Sequence, residues 1–483
     1  MVHALRSRHV ITPQGEQDAT VLIEDGIITA IHPNAHLESS ISHLESRLSQ
    51  IPTEDLGSLA LLPGLIDVHT HINEPGRTDW EGFATATRAA AAGGFTTLID
   101  MPLNCLPETT NVAALELKRE AAAGQCTIDY AFWGGAVDHN QLDLEPLARA
   151  GVAGFKSFLI YPGCDGFTAI DKQNLIRAIP HIARTGLPLL VHAELDPSIN
   201  AAVAHLNATN ADWTQYSTYL ASRPDEAELD AIEMLLELCR EALDRSQPFK
   251  PHIVHLSTAR ALPLIAAAKR EGLPVTVETC PHFLHLTAET IPANPNGPTL
   301  CKSAPAIRSA AHREQLWQAL IDGTIDLIAT DHSPCPPHMK RLKDYKNGNT
   351  AAGRFDLAWG GIPSLSTAIS VLWTQCTRRE LTLSQFAQWT SAAPARLAGL
   401  ATHIGSIEPG KHANLVAFDP DAIFTLTENM LHYRHKISPY LGETLRGQVR
   451  ATWLRGNRVF TRTNHTDEFP SSPQGREHRL SSS

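Results

Sequence analysis

His69 and His71 stand one residue apart at the end of the run Leu61-Leu62-Pro63-Gly64-Leu65-Ile66-Asp67-Val68-His69-Thr70-His71. A Pro-Gly turn feeds a short, β-branched apolar stretch that reads as a buried strand. Along an extended chain, side chains at i and i+2 share a face. The two imidazoles therefore converge on one spot, an arrangement suited to a metal such as zinc. The same pair on a solvated face would be an ordinary polar edge, so the reading depends on what else the chain brings there.

Other chemistry-bearing residues recur near the ends of apolar runs. Lys156 lies in Gly154-Phe155-Lys156-Ser157-Phe158, and His192 in Val191-His192-Ala193-Glu194. His255 lies in Ile253-Val254-His255-Leu256-Ser257, and Asp331 in Thr330-Asp331-His332-Ser333-Pro334. Singly, either histidine reads as a hydrogen-bonded core residue and Asp331 as a helix N-cap. Lys156 is harder to dismiss, because a buried ammonium costs several kcal/mol unless it is neutralised or paired.

The elements that must position these groups follow from the apolar pattern. Strands are predicted at Leu65-His71, Thr96-Met101, Ile128-Gly134, Gly154-Ile160, Leu189-His192, His252-Leu256, Val275-Thr279 and Asp326-Asp331. Helix-length stretches fall between them, such as Ala227-Ala242, Ala259-Glu271 and Ser309-Asp322. This alternation predicts the α/β class: a parallel (β/α)₈ barrel of the TIM type, over residues 61–396. A doubly wound open sheet would alternate in the same way, but the dinucleotide glycine fingerprint is missing. Asp25-Gly26 between apolar runs is a hairpin signal, and further strands with a Gly-Asn hairpin fall within 397–460. Residues 1–60 and 397–460 are therefore expected to build one small β-sandwich domain from both chain ends. Residues 35–56 read as a surface loop. The polar, Pro- and Ser-containing stretch 461–483 is expected to be a disordered tail.

In a barrel, catalytic groups sit at the C-terminal ends of strands, and all six residues fall on or near that rim. Four neutral imidazoles and one carboxylate could fill two metal sites, but something must bridge the ions. A lysine ammonium has no lone pair and repels cations, whereas a lysine carbamylated by carbon dioxide carries a carboxylate. Two divalent ions would supply a nucleophile at neutral pH and polarise a carbonyl. Asp331 could then collect a proton and pass it to a leaving nitrogen.

The formal charge of −11 and the lack of a basic cluster argue against nucleic acid as the main partner. No apolar run reaches the roughly 18 residues of a membrane span, and the first residues lack the order of a signal peptide. The 8 cysteines show no C-x-x-C pair and read as reduced, mostly buried thiols. A cytoplasmic location is expected.

The sequence resembles the cyclic amidohydrolases, the family spanning allantoinase, dihydroorotase, hydantoinase and dihydropyrimidinase. The resemblance covers the chain to about Phe460. It rests on Pro63-Gly64-Leu65-Ile66-Asp67-Val68-His69-Thr70-His71, on Gly154-Phe155-Lys156, and on Ala329-Thr330-Asp331-His332-Ser333-Pro334-Cys335. It implies a binuclear, usually zinc, centre with His69 and His71 on one metal and His192 and His255 on the other. Carboxylated Lys156 would bridge the ions, and Asp331 would be both ligand and acid/base. The family also suggests a homo-oligomer, a homotetramer.

Within the family, dihydroorotases carry an arginine two residues after the second histidine to hold a substrate carboxylate. This chain has Asn73 there, with Arg77 nearby. The runs Glu74-Pro75-Gly76-Arg77-Thr78-Asp79-Trp80-Glu81-Gly82, Asp100-Met101-Pro102-Leu103-Asn104 and Trp359-Gly360-Gly361-Ile362 look like the allantoinase members. The resemblance thus implies hydrolysis of the ring amide of allantoin to allantoate, with Asn73, Arg77, Asn104 and Ser333 as substrate contacts. One departure is Lys302-Ser303-Ala304-Pro305-Ala306-Ile307-Arg308, where allantoinases show Lys-Cys-x-Pro-Pro-Ile-Arg. Leu342–Phe355 reads as an insertion or lid after the eighth strand. A dihydroorotase or hydantoinase is the alternative enzyme. A scaffold protein of this fold would have lost a ligand, and here all six positions are filled.

Overall fold

Four residues, Ala60–Pro63, join the two ends of the chain and launch the barrel. In the computed structural model, which describes residues 2–34, 51–342, 352–463 and 466–480, this short strand lies between two longer ones. It pairs in parallel with Val2–Thr12 and antiparallel with Leu415–Thr425. The sheet around it runs in the order Asp467–Glu468, Asn457–Arg462, Thr444–Leu454, Leu415–Thr425, Ala60–Pro63, Val2–Thr12, Gly15–Glu24, Ile27–Pro33, with Thr53–Asp55 beside Val2–Thr12. Both chain ends thus build one β layer. Its tight turns are Asp25-Gly26 and Arg455-Gly456, each with two residues at positive φ, as a type I′ hairpin requires. The second turn falls one residue earlier than the expected Gly-Asn pair.

Gly64 then turns the chain into the first barrel strand, Leu65–Thr70. A Cβ on Gly64 would lie 2.3 Å from the Thr96 hydroxyl, so only glycine lets the first and second strands approach there. The remaining barrel strands are Phe95–Asp100, Asp129–Phe132 with Gly134–Gly135, Phe155–Phe158, Pro188–His192, Lys250–Ile253, Thr276–Thr279 and Leu327–Ile328. All pair in parallel with their neighbours. Between strands three and four the ring continues through Phe132 and Gly154, whose carbonyls accept at 2.9 Å from Ala153 and Gly134. Between strands eight and one it closes through a parallel bridge from Thr70 to His332. Ile66, Val68, Ile99, Leu190, Val254 and Leu327 form part of the packed apolar interior.

The helices carry the amphipathic pattern read from the sequence. Asp225–Asp244 buries Ala227, Ala231, Ile232, Leu235, Leu238, Cys239 and Ala242 along one stripe. Ser309 caps Ala310–Ile321, its hydroxyl accepting from the His312 amide at 3.4 Å. Strands six and eight are shorter than expected, because His255 and Asp331 leave the ladder at φ 42° and 46°. All eight cysteines are free and buried. No helix among the described residues is long and apolar enough to cross a membrane. Most of the loop expected at 35–56, and 343–351 of the expected insertion, lie outside the described residues.

The tail departs from expectation. Residues 466–480 are ordered along the outer side of strand three, where strand four has not yet begun. Tyr130 donates to the Arg476 carbonyl at 3.0 Å and accepts from the His478 amide at 2.7 Å. Arg119 donates to Glu477 at 2.6 Å. Buried Asp129 faces the Arg455 guanidinium, takes the Arg476 amide at 2.8 Å, and lies 3.2 Å from His478 Nε2. Burial alone would raise its carboxyl, but His478 and Arg455 bring it below its ordinary value. Polar composition misleads here because hydrogen bonds and ion pairs to an open strand flank, rather than apolar area, order the segment. Asp129→Ala leaves Arg455 without its buried partner and should destabilise the protein by about 3–5 kcal/mol. Urea denaturation would register that loss, and limited proteolysis would show cleavage within 466–480.

Candidate functional site

At the C-terminal ends of the barrel strands a cavity of about 240 Å³ opens, lined by His69, His71, His192, His255 and Asp331. A larger cavity, of about 980 Å³, lies at the opposite end, where Pro188, Lys250 and Thr276 begin their strands. The small cavity holds the chemistry. His69 Nε2 and His71 Nε2 lie 3.4 and 3.5 Å from the same oxygen of Asp331. These three side chains are close enough to share a metal ion. The His192 and His255 rings meet edge-on, with His192 Nδ1 2.9 Å from His255 Nε2. The two histidine pairs are neighbours, since the His69 and His255 rings are centred 5.3 Å apart.

Lys156 completes the set from strand four. Its amine is buried and has no hydrogen-bond partner, and its side chain passes over the Phe158 ring. Burial lowers its pKa to about 7, against the opposing pull of Glu278 and Asp331. Burial likewise pushes the His71, His192 and His255 imidazoles below their ordinary pKa. Neutral imidazoles have a free lone pair, the form that ligates metals.

Outer carboxylates decide which nitrogen faces inward. Glu278 bonds His69 Nδ1 on one oxygen and His252 Nε2 on the other, at 3.0 Å. Glu194 accepts from His192 Nε2 at 2.8 Å, and its same oxygen takes Arg223 Nη1 at 3.0 Å. The Asn104 amide lies 3.3 Å from His71 Nδ1. His69 and His192, each donating outward to a carboxylate, thus keep their other nitrogen for the centre, the arrangement found around metal-bound histidines. Below them, Asp67 ties strand one to strand eight, accepting from the Thr330 amide at 2.9 Å and the Thr70 hydroxyl at 2.6 Å.

Of the expected substrate contacts, Asn104 and Ser333 line the cavity and Asn73 and Arg77 do not. Asn73 is buried behind the wall, its amide 3.5 Å from the Pro334 carbonyl. Arg77 stacks over Trp80, which packs edge-on against the cavity residue Trp359. Sequence reasoning gave no role to Glu278, Glu194, Arg223 and Tyr219. Glu278 gave the same signal as Lys156, a charge inside an apolar strand. Glu194, two residues from His192, shares its direction along an extended chain. Lys302 and Ala304 line the cavity, whereas Ser303 is buried, its hydroxyl bonded to the Pro305 carbonyl at 2.9 Å.

The comparisons with known proteins agree with this geometry. The amidohydrolase family matches residues 60–459. The allantoinase of Streptomyces avermitilis is 46% identical over 98% of this chain and 97% of its own. That of Saccharomyces cerevisiae is 40% identical over 97% of both. Among solved structures, the L-hydantoinase of Arthrobacter aurescens superposes with a TM-score of 0.87 at 26% identity, over 99% of both chains. A dihydropyrimidinase from Brevibacillus agri gives 0.84 at 27%, over 100% of this chain and 99% of that one. With a (β/α)₈ barrel, a β layer built from both chain ends and this degree of likeness, the chain belongs to the amidohydrolase family, among its allantoinases.

Proposed function

We propose that the cavity hydrolyses the ring amide of allantoin to give allantoate. The observation that carries this reading is the convergence of six side chains from five barrel strands, with an unpartnered neutral-range amine among them. The family is metal-dependent, and the donor set suits two divalent ions, zinc being the natural choice for imidazole and carboxylate ligands. His69 and His71 would hold one ion and His192 and His255 the other. Asp331 would be a further ligand, and Lys156 would bridge as its N6-carboxy derivative. An amine near neutral pH has the lone pair that adds to carbon dioxide; the product is an anion that two divalent ions would stabilise. The ion pair, when bound, would supply Lewis-acid polarisation and a nucleophile active at neutral pH.

The residues of the chain do the rest. Asp331, within reach of His69 and His71, takes the proton released as water adds to the ring carbonyl. It returns that proton to the departing ring nitrogen as the carbon–nitrogen bond breaks, leaving a carboxylate and an open ureido group. Asn104 and Ser333 border the ring, while the apolar face of Phe158 excludes water from one side. A cytoplasmic homotetramer remains the expected form.

Four outcomes test this reading. Purified active protein should contain about two divalent ions per chain, measured by elemental analysis; fewer than one would defeat the binuclear centre. Lys156→Ala and Lys156→Arg should both abolish activity, because neither can form the carbamate, and short carboxylic acids with excess metal should partly rescue Lys156→Ala alone. Glu278→Gln loses the acceptor that orients His69, so metal affinity should fall about 10- to 100-fold, read by competition with a chelator. As to substrate, allantoin should be turned over far faster than dihydroorotate. Equal rates on the two in steady-state assays would overturn the branch assignment.

A further inference from the structure

Arg223 lines the same cavity as the histidine cluster but is distinct from it. It sits in the short link between helices Tyr216–Ala221 and Asp225–Asp244. Three contacts fix its place. Arg308 donates to its carbonyl at 3.3 Å, Glu194 holds Nη1 at 3.0 Å, and the Tyr219 hydroxyl lies beside its guanidinium. Tyr219 is itself anchored, donating to the Ser303 carbonyl at 2.6 Å. The guanidinium has five N–H donors in a rigid fork, and its side chain keeps 23% of its surface exposed. Trp359 lines the same cavity, and its indole N–H is buried with no hydrogen-bond partner. Arg223 and Trp359 thus both bring N–H donors to this cavity.

Its charge is equally informative. Glu194 is fully buried and pairs with Arg223, so the guanidinium offers directed donors without a free positive charge. A carboxylate placed against it would also meet Glu194. A neutral carbonyl would accept its hydrogen bonds without that repulsion. Resting on the allantoinase reading above, we infer that Arg223 is the specificity-determining residue that receives the ureido carbonyl of allantoin. The ring amide would then lie over the histidine cluster, and the ureido arm would point at the Arg223 wall. Arg223 is the residue that distinguishes a ring bearing a ureido arm from the bare hydantoin ring.

Arg223→Lys preserves the charge opposite Glu194 but loses the fork, and is the variant to measure first. Losing a charge-assisted hydrogen bond to the substrate should raise KM for allantoin roughly 10- to 100-fold, with kcat changed less than about threefold and metal content unchanged. Inhibition by unsubstituted hydantoin, which lacks the ureido arm, should stay within about threefold of wild type. Metal loss together with equal falls for both compounds would mean that Arg223 acts only through Glu194 and His192, and would overturn the assignment. An unchanged KM for allantoin in a folded variant would overturn it as well. Wild-type protein that failed to hydrolyse allantoin would refute the proposed function before any variant was made, so the two failures are distinct.

Discussion

Four imidazoles, an amine and a carboxylate share one buried space, and the structure depends on keeping each in one protonation state and one orientation. In water an imidazole exchanges tautomers freely; in a buried cluster the outer nitrogen must find a partner, and that partner chooses the tautomer. Glu278 does this for His69 and Glu194 for His192. Neither carboxylate is left uncompensated, which a buried charge could not tolerate. Glu278 also binds His252, and Glu194 also binds Arg223. Burial alone would raise the Glu278 carboxyl, yet His69 and His252 bring it down to about 2. Lys156 is the exception. It has no partner, and burial drives it toward the neutral amine.

The backbone is bent to serve this cluster. His255, Asp331, Asn73 and Asn104 all take positive φ, which asparagine and aspartate tolerate and histidine adopts at a cost. His255 and Asp331 do so just past the ends of strands six and eight, where an extended continuation would have carried their side chains along the ladder rather than to the cavity. Asp67 locks strand one to strand eight below the site. Barrel closure and the geometry of the histidine cluster are thus linked through one buried carboxylate.

The barrel and the inward set were legible in the sequence because both depend on local pattern. Short continuous apolar runs, spaced by amphipathic helices, specify parallel strands, and residues at their ends share a rim. Lys156 was legible because a charge in an apolar strand conflicts with its surroundings. Arg223 was not, because its link has no periodicity and its meaning comes from Glu194, 29 residues away. The tail was misjudged for a related reason: its partners Arg119, Cys126 and Asp129 lie more than 300 residues earlier. Composition reports apolar area, and this segment is held by polar contacts instead.

Asn73 and Arg77 show the same limit at close range. The family resemblance implies that both face the substrate, yet the chain folds back directly after His71. The Arg77 amide bonds the Asn73 carbonyl at 3.0 Å, and the Gly82 amide bonds that of Ile72 at 2.9 Å. That turn places Asn73 behind the wall and sends Arg77 outward onto Trp80. The guanidinium at the cavity is Arg223, already paired with Glu194. A free guanidinium selects a carboxylate by charge, whereas one paired to a buried carboxylate selects by hydrogen-bond direction. Discrimination between an acidic ring and a neutral ureido ring therefore follows from where each arginine is held, not from how many arginines the sequence contains.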